Sequence, residues 1–188
     1  CGPANSLIDL AIGHFTSGKH TYDRDGAMAA AGESQETSIE AWLQHPYLLA
    51  APPKSTGREL FGMEDLHQRL AQLINHSPND AVATLTGFTA ALVAQDLERL
   101  HERSGIRPLE LVVAGGGRNN PVLMRELRQR CHGVQLLSSD HLGLAAEARE
   151  ALVFALLAWW HHQRHPGNAP AVTGASREVI LGVLVKPD

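Results

Sequence analysis

The sequence predicts an α/β protein with a partly parallel sheet and helices packed on it. The chain has 188 residues, and 44% of them are apolar, which is enough for one domain with a sizeable core. Between residues 109 and 162 the pattern predicts a strand, a glycine-rich turn, a helix, a second strand and a second helix. Two strands connected through a helix form a β-α-β unit, in which the strands are parallel.

Helices are predicted throughout the first hundred residues. Apolar side chains recur there at helical spacing, and several segments begin with capping residues. The clearest start is Ser77, which is followed by a proline and, three residues on, by Asp80. The helix that begins there is the longest, and its predicted buried stripe includes Leu85, Phe88 and Leu92. The predicted helices cover residues 5–16, 27–31, 36–44, 63–74 and 78–103.

The second half of the chain supplies the predicted strands. Residues 109–114 form a short apolar run that indicates a buried strand, and residues 134–137 form the next one. A helix over residues 120–131 connects them, and a long helix follows over residues 145–162. Residues 179–184 are predicted to form a last strand.

Three glycines separate the first strand from the helix that follows it. Gly115, Gly116 and Gly117 precede Asn119 and Asn120, and the next residue is a proline suited to a first helical turn. Glycines let a ligand approach the backbone closely. The start of the helix offers unpaired N–H groups at the positive end of the helix dipole. This segment therefore predicts a nucleotide site.

Other site classes are disfavoured. Asn120 stands where a dinucleotide fingerprint needs its third glycine, and Pro53 stands where a Walker A loop needs a glycine. His161 and His165 have a spacing that can hold zinc, with His162 between them, but no Cys or carboxylate lies at a convincing distance. Histidines are favourable at a helix C-terminus in any case.

Charge and cysteine usage restrict partners and location. The net charge of −4 argues against a nucleic-acid partner. Two distant cysteines, Cys1 and Cys131, do not form a disulfide framework and suit a reducing compartment, so we expect a cytoplasmic protein. The apolar run over residues 151–160 is too short to span a bilayer, which predicts no membrane partner. The chain begins at Cys1 rather than Met, which predicts a fragment of a longer protein.

Two segments leave alternatives open. Glu150 lies among apolar neighbours on the long predicted helix, where it either binds a sugar hydroxyl or a cation or faces solvent, and Glu147 competes for the same role. The Pro-rich segment 49–57, with Lys54 in it and Arg58 after it, is either an ordinary surface loop or an anion-contacting loop.

Five motifs occur in the order in which they occur in one known family. They are Gly2-Pro3-Ala4-Asn5, Tyr22-Asp23-Arg24-Asp25-Gly26-Ala27, Pro53-Lys54-Ser55-Thr56-Gly57-Arg58-Glu59, Gly115-Gly116-Gly117-Arg118-Asn119-Asn120 and Val172-Thr173-Gly174-Ala175. With them the chain resembles, from end to end, the C-terminal half of the anhydro-N-acetylmuramic acid kinase family. That family belongs to the sugar kinase, actin and Hsp70 superfamily. The resemblance implies a ribonuclease H-like (actin-like ATPase) fold, with residues 1–188 as the C-terminal nucleotide-binding lobe of a two-lobe kinase whose N-terminal lobe is absent.

The resemblance also implies a reaction. Such enzymes use ATP and Mg²⁺; water opens the 1,6-anhydro ring of the sugar while phosphate passes to O6, giving N-acetylmuramic acid 6-phosphate in cell-wall recycling. The family's catalytic aspartate would stand immediately before Cys1, so no catalytic residue is expected in this chain and the fragment alone is expected to be inactive. Homodimers occur in the family, and the run 151–160 serves either such an interface or the core. The alternative is a non-catalytic, ATP-responsive interaction module of the same superfamily.

The family's motifs assign roles to individual residues. The resemblance places Glu150 against the anhydrosugar and makes Lys54 and Arg58 possible anion contacts. Two departures from the family pattern are Ala4, which replaces a glycine, and Arg118, a large cation within the glycine turn. The expected nucleotide contacts are Gly2, Pro3 and Asn5 on the phosphate side and Gly115, Gly116, Gly117, Asn119 and Asn120 under the adenosine end.

Overall fold

Helices form most of the first part of the chain, and two strands follow them. The computed structural model describes residues 2–145 and 148–185. Single turns of 3-10 helix occupy Arg24–Gly26, Gly116–Asn119 and Ser139–Leu142. In chain order, the elements are α1 (Ser6–Phe15), α2 (Ala27–Ala30), α3 (Glu36–Trp42), α4 (Pro46–Leu49), α5 (Met63–Gln72), α6 (Pro78–Ser104), β1 (Glu110–Val113), α7 (Pro121–Arg130), β2 (Gln135–Ser138), α8 (Arg149–His162) and α9 (Pro170–Thr173).

Helix α6 is the centre of the fold. Ser77 caps it as predicted: its hydroxyl accepts a hydrogen bond from the Asp80 N–H at 3.1 Å, and the Asp80 carboxylate accepts one from the Ser77 N–H at 2.9 Å. Gly105, in the left-handed region, ends it. Leu85, Phe88 and Leu92 are buried as predicted, but burial is not confined to one stripe, because every residue from Ala81 to Leu92 is buried. Helices α1, α2, α3 and α7 pack around this half of α6 and cover all its sides.

Two apolar clusters share α6. The larger cluster joins α1, α3, α5 and α6 and includes Ile12, Leu66 and Phe88. The smaller one joins α6 to α7 and the strands through Leu123 and Leu127 of α7. The strands are therefore attached to the helical core through a cluster to which both α6 and α7 contribute.

The two strands are parallel, as the β-α-β pattern predicts. Their register runs from Glu110 opposite Gln135 to Val113 opposite Ser138. The prediction that the first strand is buried is wrong, since Val112 is 41% exposed. Among the described residues, α6 and α7 contribute the side chains that pack on one face of this small sheet, whereas Glu110 and Val112 on the other face of β1 are exposed.

The C-terminal part departs most from prediction. Residues 179–184 do not form the predicted strand. Val179 is held to the preceding loop by isolated hydrogen bonds with Gly167 and Asn168, rather than to β1 or β2. The helix predicted from residue 145 begins at Arg149, and Glu147 lies outside the described residues. No helix in the two described ranges is long and apolar enough to cross a membrane.

Candidate functional site

A cavity of about 570 Å³ lies where three distant segments meet. The start of α1 contributes Asn5, Ile8 and Asp9, and the glycine turn contributes Gly116, Asn119 and Asn120. The third wall is residues 22–25. The fold thus places the loop before α1 beside the turn after β1.

The glycine turn has a conformation that depends on two of its glycines for different reasons. Gly115 has φ +80°, a left-handed value that favours glycine. A Cβ on Gly117 would lie 2.9 Å from Oδ1 of Asn5, so this glycine lets the two loops approach. A Cβ on Gly116 would meet nothing within 4 Å, and Gly116 lines the cavity.

Asn120 holds the turn to its neighbours. Its Oδ1 accepts hydrogen bonds from the N–H groups of Val122 at 3.0 Å and Leu123 at 3.2 Å, which caps α7, and Pro121 occupies the first turn as predicted. A Cβ on Gly26 would lie 2.5 Å from the same oxygen. Asn120 therefore joins α7 to the segment that forms the third wall of the cavity.

The loop before α1 is fixed mainly by packing. A Cβ on Gly2 would lie 2.0 Å from Cδ2 of Leu92, and Pro3 is buried. The carbonyl of Ala4 accepts a hydrogen bond from the hydroxyl of Thr89 on α6 at 2.9 Å. Of the three predicted contacts in this loop, Asn5 alone lines the cavity, while Gly2 packs against Leu92 of α6 and Pro3 is buried.

Two carboxylates at the cavity have opposite environments. Asp23 accepts hydrogen bonds from the N–H groups of Met28 at 2.9 Å and Ala29 at 3.1 Å, so its charge is satisfied by the start of α2. Burial raises the pKa of Asp9 to about 6, and the Arg58 cation opposes that rise. Desolvation therefore makes Asp9 hold its proton to a higher pH than an ordinary aspartate does.

The remaining predicted contacts lie away from the cavity walls. Lys54 Nζ donates hydrogen bonds to the carbonyls of Tyr47 at 3.1 Å and Leu48 at 3.0 Å, at the end of α4. Arg58 is exposed and acts on Asp9 through its charge. Glu150 is exposed in the first turn of α8. The structure thus brings together the turn and Asn5, but not Lys54 or Glu150.

Arg118, the departure within the turn, has its own partners. Its Nη1 donates to Oδ1 of Asn119 at 2.9 Å, and its Nε lies 3.2 Å from Oδ2 of Asp140. It therefore links the turn to the segment after β2. For the histidines, His161 Nδ1 lies 2.9 Å from the Leu181 carbonyl, and the part of the chain that the structure describes contains no group of three metal-ligating side chains.

Sequence reasoning missed several residues of the cavity. Asp9 lies four residues, about one helical turn, after Asn5, which precedes α1, and this spacing could have revealed it. Tyr22, 53% exposed, and Asp25 belong to a motif that supported the resemblance but was given no role. Nothing local indicates that residues 22–25 approach the glycine turn.

A strand, a glycine turn and a helix N-terminus that open on a cavity form the arrangement with which α/β proteins bind anionic groups. The sequence profile that matches residues 1–187 is that of anhydro-N-acetylmuramic acid kinase. The chain therefore belongs to the anhydro-N-acetylmuramic acid kinase family.

Similar curated proteins carry the same name. One from Synechococcus sp. (strain CC9902) is 66% identical over the whole of this chain and 50% of its own length. One from Parasynechococcus marenigrum (strain WH8102) is 65% identical, and one from Prochlorococcus marinus (strain MIT 9313) is 61% identical, each over 49% of its own length. The chain spans about half the length of the curated relatives it matches.

Proposed function

We propose that this chain is the C-terminal, nucleotide-binding lobe of an anhydro-N-acetylmuramic acid kinase with a ribonuclease H-like, actin-like fold. The whole enzyme would open the 1,6-anhydro ring with water and phosphorylate O6 with ATP. The supporting observation is the cavity in which Asn5 and the glycine turn meet, in a chain of this family. Enzymes of this type close two lobes around their substrates.

The nucleotide would lie along the glycine turn. Open space beside Gly116 lets a ligand reach the backbone. Asn119 and Asn120 stand at the start of α7, where the positive end of the helix dipole favours anions. Asn5 would contact the phosphate side. The exposed ring of Tyr22, at the cavity edge, offers a surface on which a base can stack.

The cavity also suits a magnesium ion that arrives with the nucleotide. Asp9 and Asp25 supply carboxylates there, whereas Asp23 is occupied by backbone amides. The described residues contain no complete protein cage for a metal. Mg²⁺ is commonly held by one or two carboxylates, waters and substrate phosphates, so this donor set fits it. When bound, the ion would neutralise charge on the transferred phosphate.

The sugar side of the reaction would need the rest of the longer protein. Glu150 would bind a sugar hydroxyl, and Arg58, whose charge acts on Asp9, would contact an anion. Lys54 would contact an anion only if its ammonium group left the carbonyls of Tyr47 and Leu48 at the end of α4. The family's general base would stand immediately before Cys1 and would take a proton from the attacking water. Because the relatives are about twice as long, we expect this chain alone to bind nucleotide without turnover.

A titration with a non-hydrolysable ATP analogue tests the nucleotide site. By NMR, the amides of Gly116 and Asn119 should shift, while that of Gly105, at the far end of α6, should not. Asn5→Ala should weaken binding roughly tenfold through loss of one charge-assisted contact, and Asn75→Ala, an exposed asparagine outside the cavity, should not. Unmoved turn amides at saturating analogue, in a folded chain, would contradict the proposal.

Turnover is best measured in a chimera that joins this chain to the unmatched half of the Synechococcus CC9902 relative. We expect ATP- and anhydrosugar-dependent formation of N-acetylmuramic acid 6-phosphate by the chimera and none by the chain alone. A chimera that binds ATP and closes but leaves the sugar unmodified would favour the non-catalytic module instead.

A further inference from the structure

Helix α8 presents apolar side chains to solvent along most of its length. None of its residues is buried. Phe154 is 68% exposed, Trp159 55% and Leu152 49%. From Ala151 to Trp160 the helix contains no polar or charged residue at all. A surface helix of a complete domain normally has a polar face, and α8 has none.

The exposed side chains surround the helix. Leu152, Leu156 and Trp159 follow one side, at spacings of four and three residues. Phe154 lies about 200° around the axis from Leu152, on the opposite side. Among the described residues, Leu157 of α8 and Leu181 both approach the backbone of Gly167, and this cover leaves Leu157 half-buried rather than buried.

The distribution of exposed apolar side chains around the axis of α8 determines what can cover this helix. A second copy of the chain, docked through a two-fold contact, would bury one side and leave the opposite one in water. A helix that is apolar all round is normally enclosed by a core. The curated relatives are about twice as long as this chain, so a further segment of similar size is available to enclose it.

We infer that α8 inserts into the apolar core of the other half of the longer protein and forms the element that both halves share. Its first turn, which carries Glu150, then lies at the boundary between the halves. If the proposed function holds, this boundary is where a sugar would be enclosed. The position of Glu150 would thus depend on the docking of α8 rather than on contacts within this chain.

Hydrogen exchange on the chimera described above tests the inference without relying on activity. The amides of residues 151–160 should exchange at least tenfold more slowly in the chimera than in the chain alone. Peptides from residues 81–92 of α6, which are already buried in this chain, should exchange alike in both proteins and serve as an internal control. Equal exchange of 151–160 in the two proteins would overturn the inference.

Substitutions separate enclosure from simple contact. In the chimera, Leu156→Ser and Phe154→Ser, on opposite sides of α8, should each accelerate exchange of 151–160, whereas Ile74→Ser, at a residue that is 80% exposed outside this helix, should not. Two results would assign the surface to a second copy and overturn the inference. One is that only one of the two substitutions accelerates exchange of 151–160. The other is that 151–160 are already protected in the chain alone and that this chain has the mass of a dimer. Nucleotide binding and turnover are scored separately, so a protected α8 in an inactive chimera contradicts the proposed function and not this inference.

Discussion

Ala4 has a backbone conformation that an alanine rarely adopts. Its φ is +48°, in the left-handed region, where Cβ crowds the backbone. The family pattern has a glycine at this position, and the sequence raised the question whether the loop needs that geometry. The structure has that geometry, because packing of Gly2 on Leu92 and the hydrogen bond from Thr89 hold the loop on both sides of Ala4.

Ala4→Gly should therefore stabilise the chain. Relief of left-handed strain is worth on the order of 1 kcal/mol, from which the greater freedom of unfolded glycine subtracts a part. We expect the free energy of unfolding in urea to rise by about 0.5 kcal/mol. Ala71→Gly, in an exposed position of α5, should lower it by up to about 1 kcal/mol. Equal losses in both variants would show that Ala4 is unstrained.

Adjacent glycines of the turn should respond differently to a methyl group. Gly117→Ala places Cβ 2.9 Å from Asn5 Oδ1 and should cost about 1–2 kcal/mol of stability. Gly116→Ala meets open space, so it should change stability by less than about 0.5 kcal/mol but weaken nucleotide binding at the cavity. Urea unfolding and calorimetric titration measure the two effects. A larger loss of stability in Gly116→Ala than in Gly117→Ala would mean that Gly116, not Gly117, is the glycine packed against the neighbouring loop.

Asp9 should make stability depend on pH. Its folded pKa of about 6 lies above the usual 3.8, so the folded state favours the protonated acid. The associated stability is fully present below about pH 4 and is lost as pH rises through about 6. Asp9→Asn should therefore raise the free energy of unfolding at pH 7.5 by on the order of 1–2 kcal/mol, and by much less at pH 4.5.

Glu98→Gln, at a side chain that is 63% exposed on α6, is the control for this pH series. It should give no comparable difference between the two pH values, because an exposed carboxyl group gains little from losing its charge. An Asp9→Asn variant whose stability follows the parent at both pH values would show that Asp9 is solvated.

At the scale of elements, helix starts are the most local features of this fold. Ser77 and Asp80 cap α6 reciprocally, and Asn120 caps α7 with two accepted hydrogen bonds. Both were predictable, since a cap involves residues no more than three positions apart. The short helix α4 was not predicted, although His45 Nδ1 accepts a hydrogen bond from the Tyr47 N–H at its start.

Loss of the α7 cap should be measurable. Asn120→Ala removes the acceptor for two buried N–H groups and should lower the free energy of unfolding by about 1–2 kcal/mol. Asn120→Asp keeps an accepting oxygen and should retain most of the stability that the cap contributes. Asn119→Ala, at an exposed neighbour, is the matched control, with a change below about 0.5 kcal/mol. A large loss in the control would place the capping role elsewhere.

Strands were less predictable than caps. The apolar run at 179–184 has the composition of a strand, but a strand needs a partner, and Val179 bonds only to a loop. Likewise, the apolar character of β1 predicts burial, whereas its second face is open among the described residues. An apolar run indicates only that a segment favours burial. It does not indicate whether the residues that would bury it lie within this chain.

At the scale of the whole molecule, a ligand in the cavity should hold the fold together. The cavity walls come from the start of α1, residues 22–25 and the turn before α7, so a nucleotide there would bridge segments joined through α6. At a hundredfold excess over Kd, a ligand that binds only the folded state adds about 2.7 kcal/mol. The midpoint temperature of thermal unfolding should rise when an ATP analogue is added. An equal rise in the Gly116→Ala variant would place the site elsewhere.

The sequence by itself determined the starts of α6 and α7, the glycine turn, the parallel β-α-β order and the family. These depend on signals within a few residues or on motifs in a fixed order, which folding does not alter. Only the tertiary structure decided three features: the close approach of Gly117 to Asn5, the position of Asp9 at the cavity, and the burial of α6 on all sides from Ala81 to Leu92. Such contacts join residues far apart in the chain, and burial depends on which neighbours the packing supplies, so no local pattern encodes them.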